Sequence, residues 1–134
     1  MNIVPQTVIL SAESNTNDQL TNEQKTNLLR DCLEDCNMNF SQAEGFFEGR
    51  SETSFVVLPK SQAGIDILKD FAFKTFKQQS VLYQDSNQEA YLINHDGTEE
   101  RLGRLQEVSK EVAENVGSYT LLKGRYYTTV KRPA

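Results

Sequence analysis

The sequence contains no tryptophan, one histidine and two cysteines, and these shortages disfavour several kinds of active site. A serine or cysteine nucleophile needs a base held beside it. His95 is the only histidine, and its place in the turn-forming run 94–97 favours a solvated residue. Cys32 and Cys36 lie about one helical turn apart, which disfavours a mutual disulfide, and a zinc site would need further ligands. We therefore expect two reduced structural thiols, no metal and no cofactor.

Long apolar runs are also lacking, since none approaches the ~18 residues that a membrane-spanning helix requires. The first residues, Met1–Pro5, carry no basic region followed by an apolar core, so they do not predict a secretion signal. A length of 134 residues fits a single domain, 1–134, with a core of its own. We expect a cytoplasmic protein that does not bind membranes.

Positive charge is scarce except near the C-terminus. The chain has 14 basic and 19 acidic residues, for a net charge of −5. Segment 119–134 contains no acidic residue and four basic ones, Lys123, Arg125, Lys131 and Arg132. An acidic body disfavours long nucleic acids, which need many phosphate contacts. A small basic patch can still hold one or two phosphates.

Short β-branched and apolar runs between turn-forming residues predict many strands and a few helices. The expected strands are 7–12, 43–48, 53–58, 80–83, 90–93, 100–105, 119–122 and 126–130. Helices are expected from an N-cap at Thr21 to about 37–39, after an N-cap at Ser61, and over 108–116 up to Gly117. The sequence therefore predicts an α+β fold, a single domain with a mainly antiparallel sheet packed by two to three helices.

Segment 45–58 is the most informative part of the chain, because two glycines lead through polar residues into an apolar strand. Glycine is used where φ must be positive or where another group approaches the backbone closely. Three residues at the mouth of this strand can donate or accept hydrogen bonds: Arg50, Glu52 and Ser54. No catalytic motif accompanies them, so the segment predicts a polar loop at a strand entrance.

The C-terminal hairpin combines aromatic and basic residues. Three of the five tyrosines lie in it: Tyr119, Tyr126 and Tyr127. Aromatic rings stack on bases, and arginine pairs with phosphate through two hydrogen bonds, so this composition suits a nucleotide. It equally suits a hairpin whose tyrosines are half-buried against the sheet, and both interpretations stay open.

Several short motifs follow one another in a recognisable order between residues 7 and 83. They are the turn Leu10–Asn15, Asn22 with the helix leucines Leu28, Leu29 and Leu33, Gly45 and Gly49 with Glu52–Val57, and the run Phe76–Tyr83. In this order and spacing the chain resembles a family of small domains of unknown function from bacteria and their phages. It departs from that family at Glu13–Asn15, where an Asn-Pro pair is common, and by lacking the tryptophan of some members.

The resemblance to phage proteins favours a function that counters the anti-phage defence of the host. Phage proteins of this size include accessory proteins that blunt host immunity, among them nucleotide sponges, which sequester cyclic nucleotide signals without cleaving them. We therefore expect a non-catalytic protein, in the host-cell cytoplasm if phage-encoded, whose partner is a small anionic nucleotide; a homo-oligomer stays open. The expected ligand-binding residues are Ser11, Asn15, Arg50, Glu52, Ser54, Gln78, Tyr83, Lys123, Arg125 and Tyr127. Lys123 or Arg125 would contact phosphate, a tyrosine would stack on a base, and Glu52 would accept from a base edge or hold an arginine.

Two other functions stay open at the level of the sequence. One is a protein-binding inhibitor that docks an acidic helical face on a basic host protein, guided by charge. The acidic residues in question are Asp31, Glu34 and Asp35, or Glu107, Glu111 and Glu114. The other is a small metal-independent hydrolase with Glu52 as its base.

Overall fold

The computed structural model describes residues 6–14, 16–47 and 49–130. In these ranges the strands are Thr7–Ser11 (β1), Asn39–Phe47 (β2), Arg50–Leu58 (β3), Ser80–Gln84 (β4), Ala90–Asn94 (β5), Glu99–Val108 (β6), Ser118–Leu122 (β7) and Arg125–Val130 (β8). The helices are Gln19–Asp35 (α1), Gln62–Asp70 (α2) and Lys110–Val116 (α3). A π-helical turn over Phe71–Thr75 continues α2.

The strands close into an antiparallel barrel in the order β1-β3-β2-β7-β8-β6-β5-β4, and β4 pairs back onto β1. The predicted fold class, an α+β sheet, was therefore wrong, because the expected strands form a closed barrel and not an open sheet. Closure depends on pairs that are distant in sequence, such as Ile9 with Leu82 and Gly45 with Thr120. Local residue patterns indicate that a strand exists but carry no information about such partners.

The main hydrophobic core lies between the barrel wall and the first two helices. Phe55 and Val8 of the wall pack in one cluster with Leu29 of α1 and Leu68 of α2. Phe55 is fully buried, and burying a side chain of this size contributes about 1.5–3 kcal/mol. Since side chains alternate across a strand, the residues between these core positions lie on the opposite side of the wall, which we call the inner face.

Side-chain caps set the helix boundaries, and one of them differs from the prediction. Asp18 rather than Thr21 caps α1, because its Oδ1 accepts from the Thr21 amide at 2.7 Å. Ser61 caps α2 as predicted, with its Oγ 3.2 Å from the Gly64 amide. Gly117 ends α3 as predicted, with φ at +83°.

Two other observations concern the helices. Cys32 and Cys36 of α1 are both free thiols, which confirms that they do not form a mutual disulfide. None of the helices in the described ranges is both long and apolar enough to cross a membrane.

Candidate functional site

Two side chains at the end of β1, one on its last residue and one just beyond it, satisfy the backbone of β3 where β1 ends. Ser11 donates its hydroxyl to the carbonyl of Thr53 at 2.8 Å. The carboxylate of Glu13 accepts from the amide of the same residue. These side chains replace the main-chain partners that a longer β1 would have supplied. Glu13 is thereby held at one end of the barrel, beside the start of β3.

The turn that carries Glu13 is held by two amide side chains. Asn22 of α1 accepts from the Ser14 amide and donates to the Ser14 carbonyl, both at 3.0 Å. Gln78 donates to the carbonyl of Glu13 at 2.9 Å. A surface loop would ordinarily be mobile, but these three bonds tie the turn to α1 and to the segment before β4. The folded structure therefore fixes the position of Glu13.

Glu52 lies on the inner face near the same end of the barrel, paired with Gly45 of β2. Its pKa is raised above the usual value of 4.5, first because its carboxyl is partly removed from water and then because of the charge of Glu13; Arg50 acts in the opposite direction. Two nearby carboxylates disfavour ionisation of both. We call Glu13 and Glu52 the acidic rim, and its electrostatics favour an added cation or proton.

Gly45 makes room for the acidic rim. A Cβ at this position would lie 3.0 Å from the Ser54 hydroxyl and 3.7 Å from Cγ of Glu52. The close approach predicted for this glycine is therefore present. Gly49 has φ at +78° and open space around it, so it serves the turn between β2 and β3.

An aromatic ring shares the inner face with Glu52. A row of directly paired residues crosses five strands: Glu52, Gly45, Thr120, Tyr127 and Glu107. Directly paired residues lie on the same face of a sheet. Tyr127 is therefore on the inner face, in a row with a carboxylate at each end.

Several of the residues expected at a ligand site come together around the acidic rim. Ser11, Glu52 and Ser54 share the inner face, where Ser11 and Ser54 are buried and paired with each other. Arg50 begins β3, and its charge acts on Glu52. Gln78 supports the backbone of Glu13.

Other expected residues lie elsewhere. Tyr83 is on the outer face, where it stacks on Tyr91 with ring centroids 6.5 Å apart and donates to Gln6 at 2.5 Å. Lys123 and Arg125 flank the turn between β7 and β8, at the end of these strands opposite the one where Ser118 pairs with Phe47. Asn15 lies outside the described residues.

Glu107 and Glu13 also differ from their expected roles. Glu107 belongs to β6 rather than to an acidic face of α3, and its carboxylate lies 3.7 Å from Arg125. From the sequence, Glu13 was expected only as a turn residue. Its spacing from Ser11 could have indicated a place in the site, because residues two positions apart lie on the same side of an extended strand.

These features define a class of protein: a small closed antiparallel barrel with paired carboxylates at one end. The model of the S-adenosylmethionine lyase family matches residues 8–130, and the chain belongs to this family. A comparison with curated proteins gives no match. Membership agrees with the coarser expectation from the sequence, a phage accessory protein that binds a small molecule. Sequestration of a nucleotide is a narrower hypothesis.

Proposed function

We propose that the protein binds S-adenosylmethionine at the acidic rim and breaks a carbon–sulfur bond of its sulfonium group. The observation that carries this proposal is the placement of two carboxylates at one end of the barrel, with Glu13 on the amide of Thr53 and Glu52 on the adjacent residue of β3. The pKa of Glu52 is raised first by desolvation and then by the charge of Glu13. Two carboxylates that repel each other bind a cation more readily than an anion. S-adenosylmethionine offers two cationic groups, a sulfonium and an α-ammonium, and the family name supplies the substrate.

The chemistry suits a site without a nucleophile–histidine pair. A sulfonium sulfur departs as a neutral thioether, so no acid is needed to protonate it. The carboxylate at the end of the substrate's aminoalkyl chain attacks the carbon of the same chain that is bonded to sulfur. A carbon–oxygen bond forms, the carbon–sulfur bond breaks, and its electron pair stays on sulfur. Such an intramolecular displacement gains most from being held in a reactive geometry.

The acidic rim supplies that geometry. Glu13 is fixed by its bond to Thr53 and by the bonds that hold its turn. With Glu52 it can hold the α-ammonium, which leaves the substrate carboxylate free to reach the carbon next to sulfur. The role of the two carboxylates is therefore to position the substrate and not to take up its protons.

The test is incubation of the protein with S-adenosylmethionine, with chromatography of the products. We expect loss of the substrate and appearance of 5′-methylthioadenosine at a rate well above that without protein, and no such gain with Glu52→Gln. In water labelled with heavy oxygen, a hydrolase would place the label on the carbon that lost sulfur, whereas the proposed reaction keeps the substrate's own oxygen there. Substrate consumption no faster than in buffer would exclude the cleavage.

Sequestration without cleavage is the second candidate, and Tyr127 on the same inner-face row as Glu52 supports it, because a ring can stack on a base. The negative charge of the acidic rim disfavours sequestration of an anionic nucleotide. A thermal-shift panel separates the candidates, since a ligand bound only to the folded state raises the midpoint. A shift with cyclic nucleotides, with every ligand recovered intact, would favour sequestration.

A further inference from the structure

A second recess lies outside the barrel, between α1 and strands β2 and β3. It has a volume of about 260 Å³, below the ~300–1,000 Å³ of pockets that enclose a drug-sized ligand. Its lining residues are Glu13, Glu23, Thr26, Asn27, Arg30, Gln42 and Thr53. Glu13 therefore lines this recess and also belongs to the acidic rim, so the two are neighbouring parts of one surface. We call this recess the helix groove.

The helix groove contains a buried hydroxyl that has no partner among the described residues. Thr26 is only 6% exposed, and its Oγ1 makes no hydrogen bond within them. Leaving such a group unsatisfied costs about 1–3 kcal/mol. A threonine in a helix often bonds the carbonyl one turn earlier, and Thr26 does not. An apolar residue would serve the fold better here, so the hydroxyl indicates a partner that comes from outside the protein.

The other polar groups of the groove are arranged by Arg30. Its guanidinium lies over the ring of Phe55, 5.6 Å from the centroid. It donates to the side-chain carbonyls of Asn27 at 2.8 Å and Gln42 at 2.5 Å. Because both carbonyl oxygens accept from Arg30, the two amide nitrogens are the donors that remain for a ligand.

We propose that the helix groove binds the uncharged nucleoside end of the ligand, an adenosine. This inference rests on the proposed function, because Glu13 joins the groove to the site of the cationic end. The amide nitrogens of Asn27 and Gln42 can donate to the ring nitrogens of adenine, and a carboxylate such as Glu23 suits the ribose hydroxyls. Glu13 and Glu23 together disfavour a phosphate. The groove therefore selects a nucleoside over a nucleotide.

The experiment is calorimetric titration of the full chain with 5′-methylthioadenosine, which carries the nucleoside but neither cationic group. The variant is Thr26→Val, which keeps the shape and removes the hydroxyl. We expect affinity to fall about three- to tenfold, the worth of one hydrogen bond. The thermal midpoint of the free protein is expected to hold or rise. Thr75→Val, at an exposed position outside the groove, is the matched control and changes neither quantity.

The outcomes separate this inference from the proposed function. Unchanged affinity in Thr26→Val overturns the nucleoside assignment, and so does failure of the wild type to bind 5′-methylthioadenosine while it cleaves S-adenosylmethionine. Weaker binding of 5′-methylthioadenosine by the variant, without any cleavage by the wild type, supports nucleoside binding in the helix groove and overturns the lyase reaction. If Thr26→Val does not fold, Asn27→Ala at an exposed helix position tests the same assignment, and we expect it to bind 5′-methylthioadenosine more weakly than the wild type.

Discussion

Replacing Glu52 by glutamine is expected to stabilise the protein while it abolishes ligand binding. Glu52 has a raised pKa because its carboxyl is partly desolvated and lies near Glu13, so its negative charge opposes folding at neutral pH. Glu13 lies beyond the end of β1 and Glu52 is an exposed residue, so solvent screening keeps the cost toward the lower part of the ~0.2–1 kcal/mol found for like charges that face each other across strands. Relief of about 0.5 kcal/mol corresponds to a rise in the thermal midpoint of about 2 °C for a domain of this size.

The stability gained from Glu52→Gln and the affinity for the ligand depend on the protonation of Glu52. In the folded state Glu52 keeps its proton to a higher pH than in the unfolded state, so its contribution to stability falls as pH rises from the unfolded pKa through the raised folded pKa. The advantage of Glu52→Gln over the wild type is therefore largest at neutral pH and disappears in acid, below both pKa values. Ligand binding follows the opposite course, because a protonated Glu52 no longer attracts a cation, so the wild type loses affinity for S-adenosylmethionine as pH falls.

Thermal melts of both proteins between pH 4 and 8 measure this difference, and calorimetry with S-adenosylmethionine measures the binding. Glu44→Gln is the control, since it removes the same charge at an exposed position on the neighbouring strand β2. It is expected to change binding less than twofold. A Glu52→Gln protein that is less stable than the wild type at neutral pH, or that binds the ligand equally well, would refute the reasoning about the acidic rim.

Three further predictions follow from the contacts around the rim. Gly45→Ala places a Cβ 3.0 Å from the Ser54 hydroxyl, so titration with S-adenosylmethionine is expected to show severalfold weaker binding; Gly64→Ala in α2, with only ordinary contacts, is expected to stabilise by about 0.5–1 kcal/mol and leave binding unchanged. Asn22→Ala removes two hydrogen bonds to Ser14 and is expected to cost about 2 kcal/mol in urea unfolding; a loss below 0.5 kcal/mol would show that the turn holds itself. Arg125→Ala is expected to leave affinity for S-adenosylmethionine within twofold, because Arg125 lies at the other end of its strands beside Glu107; a tenfold loss would bring the basic hairpin back into the site.

The elements of this fold could be predicted from local sequence, whereas their assembly could not. Runs such as 7–12 and the glycine at Gly117 gave strands and a helix end close to the observed ones, because alternation and backbone conformation are local properties. The N-cap predicted at Thr21 was wrong because the carboxylate of Asp18, three residues earlier, accepts from the Thr21 amide and caps the helix. Closure of the barrel depends on which strands meet, and pairs such as Ile9 with Leu82 leave no local trace.

The candidate site was likewise predictable only where local sequence determines it. Ser11, Glu52 and Ser54, which lie together on the inner face, could be proposed because polar residues at the start or end of a strand are visible in the sequence. Glu13 was not proposed because its position depends on Thr53, forty residues later in the chain. The groove residue Thr26 could not be found either, since an unpartnered hydroxyl is a property of the packed structure.

Closure of the barrel also limits how other molecules can attach to this protein. Each of the eight described strands has a hydrogen-bonded neighbour on both sides, so unpaired backbone is confined to stretches that extend past a neighbour, such as residues 39–43 of β2 beside β7. An exposed edge is the usual template for strand addition by a partner and for edge-to-edge aggregation. A partner or a second copy is therefore expected to recognise mainly side chains and loops, which makes attachment to the wall dependent on residue identity.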